Sequence, residues 1–121
     1  MCTSLSFPER ALYGRNLDLE YHFGEQVVLT PRNFPFTFHH HPALAQHYAL
    51  LGMANLADGV PLYAEAANEA GLYMAGLNFP GNAHYFDAPK DGALNLAPYE
   101  LFPLVLGQCA TVAEARKLLE Q

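Results

Sequence analysis

Charge is scarce in this chain. Asp, Glu, Lys and Arg make up 15% of its 121 residues, and the six lysines and arginines form no basic run. Nothing in the sequence could line a face that grips a phosphate backbone, so no nucleic-acid partner is expected. Cysteine is scarce as well. Cys2 and Cys109 are the only two, with no C-x-x-C spacing. That pattern excludes a disulfide framework, and the expected setting is a reducing cytoplasm with both thiols free. No apolar run approaches the ~20 residues of a membrane helix, and no positive segment followed by an apolar run marks a secretory signal. Repeats, low-complexity tracts and a phosphate-binding glycine loop are also missing.

Apolar residues, in contrast, are plentiful. They make up 51% of the chain, enough for one domain with a real core and more than a small domain usually hides alone. Their spacing is strand-like through the first two-thirds. "CTSLSF" and "ALYGRNLDL" flank the turn "PER" and read as a hairpin. "EQVVLTPR", "FPFTFHHH" and "HYALLGMANL" read as further strands. "VPLYAEAA" and "LYMAGLNF" read as a second hairpin around "NEAG", with Gly71 at a left-handed turn position. The pattern then becomes helical. "APYELFPLVLGQ" predicts a helix with Pro98 in its first turn, and Pro103 then requires a kink or a second short helix. "TVAEARKLLEQ" predicts another. There Thr111 and Glu114 form a capping box, and Val112, Ala115, Leu118 and Leu119 share a face.

Cys2 stands directly behind the initiator methionine. If Met1 is removed, one residue carries both a thiol of pKa about 8.5 and an α-amine of pKa about 8. Nucleophile and general base then sit a few bonds apart. Arg15 and Asp18 lie on the return strand of the first hairpin, which would bring them beside Cys2. An arginine there favours thiolate, and a carboxylate can orient the amine. Asn78 ends an apolar run, where its side-chain amide could donate to a developing oxyanion. Each of these residues read alone is an ordinary turn or surface residue; what sets Arg15 and Asp18 apart is the hairpin that would return them to Cys2. The three histidines of "FHHHP" put only His39 and His41 on one strand face, too few for a zinc site, and His22, His47 and His84 are isolated. Cys109 reads as a small buried apolar residue.

Cys2-Thr3, "YGRNLDLE", "PLYAEAANEAGL", "AGLNFPGNA" and "LGQC" follow one another across nearly the whole chain. Together they resemble the amino-terminal part of the choloylglycine hydrolases, the family of bile salt hydrolases and penicillin V acylases. The resemblance implies an α+β fold, the four-layer αββα sandwich of N-terminal nucleophile hydrolases. Residues 1–121 would be the amino-terminal part of that single domain, antiparallel strands followed by two helices. It implies that Cys2 is the nucleophile, that Arg15 sits by the thiol, that Asp18 bonds the α-amine and that Asn78 serves the oxyanion. Leu17 and Ala64 fall where the family lines its apolar pocket. The implied reaction is hydrolysis of a glycine- or taurine-conjugated bile salt, without metal or cofactor, in a protein that forms tetramers at full length. Two alternatives stay open. One is an acylase acting on penicillin V or N-acyl homoserine lactones; the other is a non-catalytic binding or assembly module.

Overall fold

A computed structural model describes residues 2–78 and 81–120. Strands β1 (Thr3–Phe7) and β2 (Leu12–Asn16) pair antiparallel, from Thr3 opposite Asn16 to Phe7 opposite Leu12. Between them Pro8–Arg10 form one 3-10 turn, closed by the Ala11 N–H on the Pro8 carbonyl at 3.1 Å. The expected hairpin is present. Strands β3 (Gln26–Thr30), β4 (Leu50–Ala57), β5 (Val60–Asn68) and β6 (Tyr73–Ala75) form a separate antiparallel sheet in that order.

The β4–β5 connection is two residues long, because Ala57 lies opposite Val60. Asp58 and Gly59 both take positive φ, 52° and 80°. That is the mirror-image turn whose twist matches the flanking strands, and Asp-Gly is one of its preferred pairs. The β5–β6 turn lies where "NEAG" predicted it, with Gly71 at φ 92°. β6 is shorter than the run "LYMAGLNF", whose Phe79 lies outside the described residues, as does Pro80.

One face of this sheet carries the core. Leu50, Ala54, Tyr63 and Ala66 pack there with Phe36, Leu72, Phe102, Val105 and Leu106. Each fully buried leucine contributes roughly 1.5–3 kcal/mol. Cys109 joins this cluster, and burial pushes its thiol above the ordinary range. Its expected character as a small buried apolar residue fits.

The helices follow. Pro98–Glu100 form a 3-10 turn that runs straight into α1 (Leu101–Gln108). Pro103 is the third residue of α1, where a backbone N–H would have no helical partner anyway, so no kink is needed. α2 (Val112–Leu119) begins with the expected capping box: the Glu114 N–H donates to Thr111 Oγ1 and the Thr111 N–H to Glu114 Oε2, both at 3.2 Å. Its apolar face divides. Ala115 and Leu118 pack on the core, while Val112 and Leu119 remain exposed.

The segment "FPFTFHHH" is not a strand. Within it only Phe36 pairs, in a single bridge to Leu44. Glu100 diverts the chain. Its buried carboxylate accepts the His39 N–H at 2.8 Å and the Ala97 N–H at 2.8 Å, and lies 2.7 Å from His39 Nδ1. Burial works against that charge, but the two N–H groups and the imidazole outweigh it and hold the carboxyl below its usual range. Among the described residues no group of three or more His, Cys, Asp and Glu converges as a metal ion would require.

An ion pair ties the end of β3 to the β5–β6 turn. Arg32 Nε donates to both Glu69 oxygens at 2.8 and 2.9 Å, and Glu69 also accepts the Ala49 N–H at 2.8 Å. Arg32 above all, and then the Ala49 N–H, pull the Glu69 carboxyl down to about 2 from an ordinary 4.5. The folded state therefore binds this proton more weakly than the unfolded chain. The clamp's stabilisation is fully present above the unfolded value and is lost as pH falls from there toward 2. Urea titrations at pH 6 and pH 3 will show a smaller acid-induced loss of stability in Glu69→Gln than in the parent. Equal losses would remove Glu69 from the acid response.

Candidate active site

The hairpin register sets the geometry. Thr3 lies opposite Asn16, and the Thr3 N–H donates to Asn16 Oδ1 at 2.7 Å, which closes the end of the ladder. Cys2, just before Thr3, therefore meets the chain just beyond Asn16. The backbone N–H of Asp18 is aimed at the Cys2 sulfur, and so is that of Asn78, from the segment after β6. These donors and the Arg15 charge lower the thiol's pKa, the Asp18 N–H having the largest effect; partial burial opposes them without cancelling them. The result is a larger thiolate fraction near neutral pH, and the thiolate is the nucleophilic form.

Arg15 is inside the molecule. Its side chain is 2% exposed, and Nη2 donates to the Gly76 carbonyl at 2.8 Å. Its Nε lies 3.6 Å from Glu65 Oε2 on β5. Glu65 Oε2 also accepts the Tyr73 hydroxyl at 2.7 Å. Tyr73, from β6, stacks on Tyr13 of β2 with ring centroids 3.6 Å apart. Burial first, and then the bond to and charge of Glu65, push the Tyr73 phenol far above its usual range. These contacts join the hairpin to the sheet and bring Gly76, two residues before Asn78, to Arg15.

Cys2, Arg15, Asp18 and Asn78, expected together, are brought together. At the sulfur itself, Asp18 and Asn78 each present a backbone N–H. The role expected of the Asp18 carboxylate requires an α-amine on residue 2, and Met1 lies outside the described residues. Leu17 is half-buried beside Asp18. Ala64 occupies a β-bulge: the β4–β5 register steps from Met53 opposite Glu65 to Ala54 opposite Tyr63, leaving Ala64 unopposed. Its carbonyl accepts the Gly76 N–H at 2.9 Å, so it borders the segment that holds Arg15. A cavity of about 810 Å³ lies elsewhere, bordered by His39, Phe86, Tyr99 and Leu119, and Cys2 does not line it.

Glu65, Tyr73, Tyr13 and Gly76 were not singled out from the sequence. A signal existed for Glu65, a carboxylate inside an otherwise apolar strand run.

The family model for linear amide C–N hydrolases of the choloylglycine hydrolase family matches residues 2–121. The chain belongs to the choloylglycine hydrolase family. A relative named bile salt hydrolase/transferase, from Lactiplantibacillus plantarum, is 41% identical over all of this chain and 37% of its own length. A conjugated bile acid hydrolase of Lactobacillus gasseri is 39% identical over 99% of this chain and 39% of its own length. Among solved structures, a cysteine-to-alanine mutant of the conjugated bile acid hydrolase from Clostridium perfringens superposes with a TM-score of 0.84 at 34% identity, over 98% of this chain and 37% of that one. An arginine-to-leucine variant of the same enzyme gives 0.81 at 33% identity, over 93% of this chain and 35% of that one. The chain thus spans little more than a third of these choloylglycine hydrolase relatives. Its α+β architecture, antiparallel strands followed by two helices, is the corresponding part of their N-terminal nucleophile hydrolase fold.

Proposed function

We propose that this chain supplies the nucleophile of a cysteine amidohydrolase that cleaves glycine- or taurine-conjugated bile salts. The observation that carries the reading is the Cys2 thiol, lowered by two backbone N–H groups and the Arg15 charge. The names of the relatives, bile salt and conjugated bile acid hydrolases, support the substrate class.

In this reading loss of Met1 frees the Cys2 α-amine, and the Asp18 carboxylate holds it. The thiolate attacks the amide carbonyl, forming a sulfur–carbon bond. The oxyanion is met by Asn78. The carbon–nitrogen bond breaks as the α-ammonium of Cys2 gives its proton to the departing amine, glycine or taurine. Water then attacks the thioester, the α-amine takes up its proton, and the bile acid leaves as the thiolate is restored. Leu17 and Ala64 provide apolar wall for the steroid. Residues 1–121 form the amino-terminal part of one domain, and the full-length assembly is a tetramer in the cytoplasm.

The test is a panel of glycocholate, taurocholate and phenoxymethyl-penicillin with released amine assayed. The reading predicts release of glycine or taurine in preference to penicillin cleavage. Penicillin cleavage alone would assign the site to an acylase. No release from any substrate by chain shown to lack Met1 would support the non-catalytic alternative.

A further inference from the structure

We propose that Glu65, held by Tyr73, is a positioning residue that fixes the Arg15 guanidinium beside Cys2. The inference deepens the proposed function and rests on its assignment of Cys2 as nucleophile.

The hydrogen bonding of Arg15 is unbalanced. The Arg15 side chain is 2% exposed, yet among the described residues its Nε and Nη1 have no hydrogen-bond partner. Only Nη2 is satisfied, by the Gly76 carbonyl. A guanidinium so placed is costly unless a counter-charge stands close. Glu65 is that counter-charge, with Oε2 3.6 Å from Nε.

Glu65 is itself fixed. The oxygen that faces Arg15 also accepts the Tyr73 hydroxyl. Glu65 lies opposite Ala75, and Tyr73 opposite Ala67 two positions along, so the two side chains share one face of the sheet as a diagonal pair. Tyr73 is clamped in turn by Tyr13, two residues before Arg15 on β2. The contacts form a closed circuit: Arg15 to Glu65, Glu65 to Tyr73, Tyr73 to Tyr13, and back along β2. A guanidinium in such a circuit cannot swing away from the thiol.

The proposal has a sign that distinguishes it. By charge alone, removing the Glu65 carboxylate should favour the Cys2 thiolate, because a negative charge disappears. By positioning, it should disfavour thiolate, because Arg15 is released. The backbone N–H groups of Asp18 and Asn78 that act on the sulfur are unchanged in the comparison.

The experiment is the pH dependence of Cys2 alkylation by iodoacetamide, read at the Cys2 peptide by mass. It needs no hydrolysis, so it stands or fails separately from the substrate assay. Cys109, buried and with a raised thiol, is the internal control. Glu65→Gln is expected to react roughly 3–10-fold more slowly at pH 7, with its midpoint shifted up. Tyr73→Phe keeps the ring on Tyr13, removes only the hydroxyl, and should shift the midpoint the same way by less. Glu65→Asp should recover part of the loss. Should Glu65→Gln lose its fold, Tyr73→Phe carries the test. Unchanged midpoints in the folded variants, or a downward shift, would overturn the proposal.

Discussion

Gly52→Ala will lower the stability of the chain by about 3 kcal/mol, near the upper end for overpacking a core. Gly52 lies opposite Ala66 in the middle of the β4–β5 pair. A Cβ there would stand 2.0 Å from the Glu65 carbonyl oxygen, 2.6 Å from Ala66 Cα and 2.7 Å from Ala66 Cβ. No long side chain can move aside, because these atoms are backbone and a methyl fixed to it. The strands must part instead. They part at the pair that joins β3 to β6, next to the bulge at Ala64. Glu65 would move with them, and with it the contact to Arg15. Thermal unfolding should show a midpoint lower by on the order of 10 °C. A midpoint unchanged within error would mean that the close approach of β4 to β5 is not present in solution.

Asn68→Ala has a comparable effect for a different reason. Asn68 ends β5 and is 5% exposed. Its Nδ2 donates to the carbonyls of Leu106 and Cys109 at 2.8 and 2.7 Å, and its Oδ1 accepts the N–H groups of Ala70 and Leu72 at 3.1 and 2.9 Å. One amide therefore satisfies two carbonyls where α1 ends and two donors of the β5–β6 turn. An α-helix leaves its last carbonyls unpaired, and here a strand residue fills that need. Truncation strands all of these groups at once, and the net loss should be about 3–4 kcal/mol, given 1–3 kcal/mol for each buried orphan and partial recovery by water. Asn68→Asp keeps both acceptor bonds but aims a negative oxygen at two carbonyls, so it should recover nothing at neutral pH. Urea unfolding of both variants checks this. If Asn68→Asp were as stable as the parent, the donor half of the clamp would be irrelevant.

What could be read from the residues, and what could not, follows from the range of each signal. Cys2, Arg15 and Asp18 were legible because a hairpin with a short turn leaves little freedom in register: once Phe7 faces Leu12, Asn16 faces Thr3. The capping box at Thr111 was legible because all of its parts lie within one helical turn. The Asp58-Gly59 turn is an equally local signal, a preferred pair for a two-residue hairpin connection. The segment around Phe36 was misread because alternating aromatics suit a strand. Its fate was decided by Glu100, a carboxylate 61 positions along from His39. Glu65 and Tyr73 were hidden for a related reason. They meet diagonally across β5 and β6, and the bulge at Ala64 decides which residues of β5 face the hairpin. The use of the Asp18 and Asn78 backbone N–H groups was also invisible, since a sequence names side chains and not the direction of peptide groups.

The central claim is that Cys2 is an activated nucleophile for an amide. Intact mass of the purified chain, quenched during incubation with glycocholate, tests it most directly. The account predicts a chain without Met1 that gains the cholyl group on Cys2 while glycine appears in solution. A chain without Met1 whose mass does not change, with no glycine released and Cys2 still open to alkylation, would contradict it.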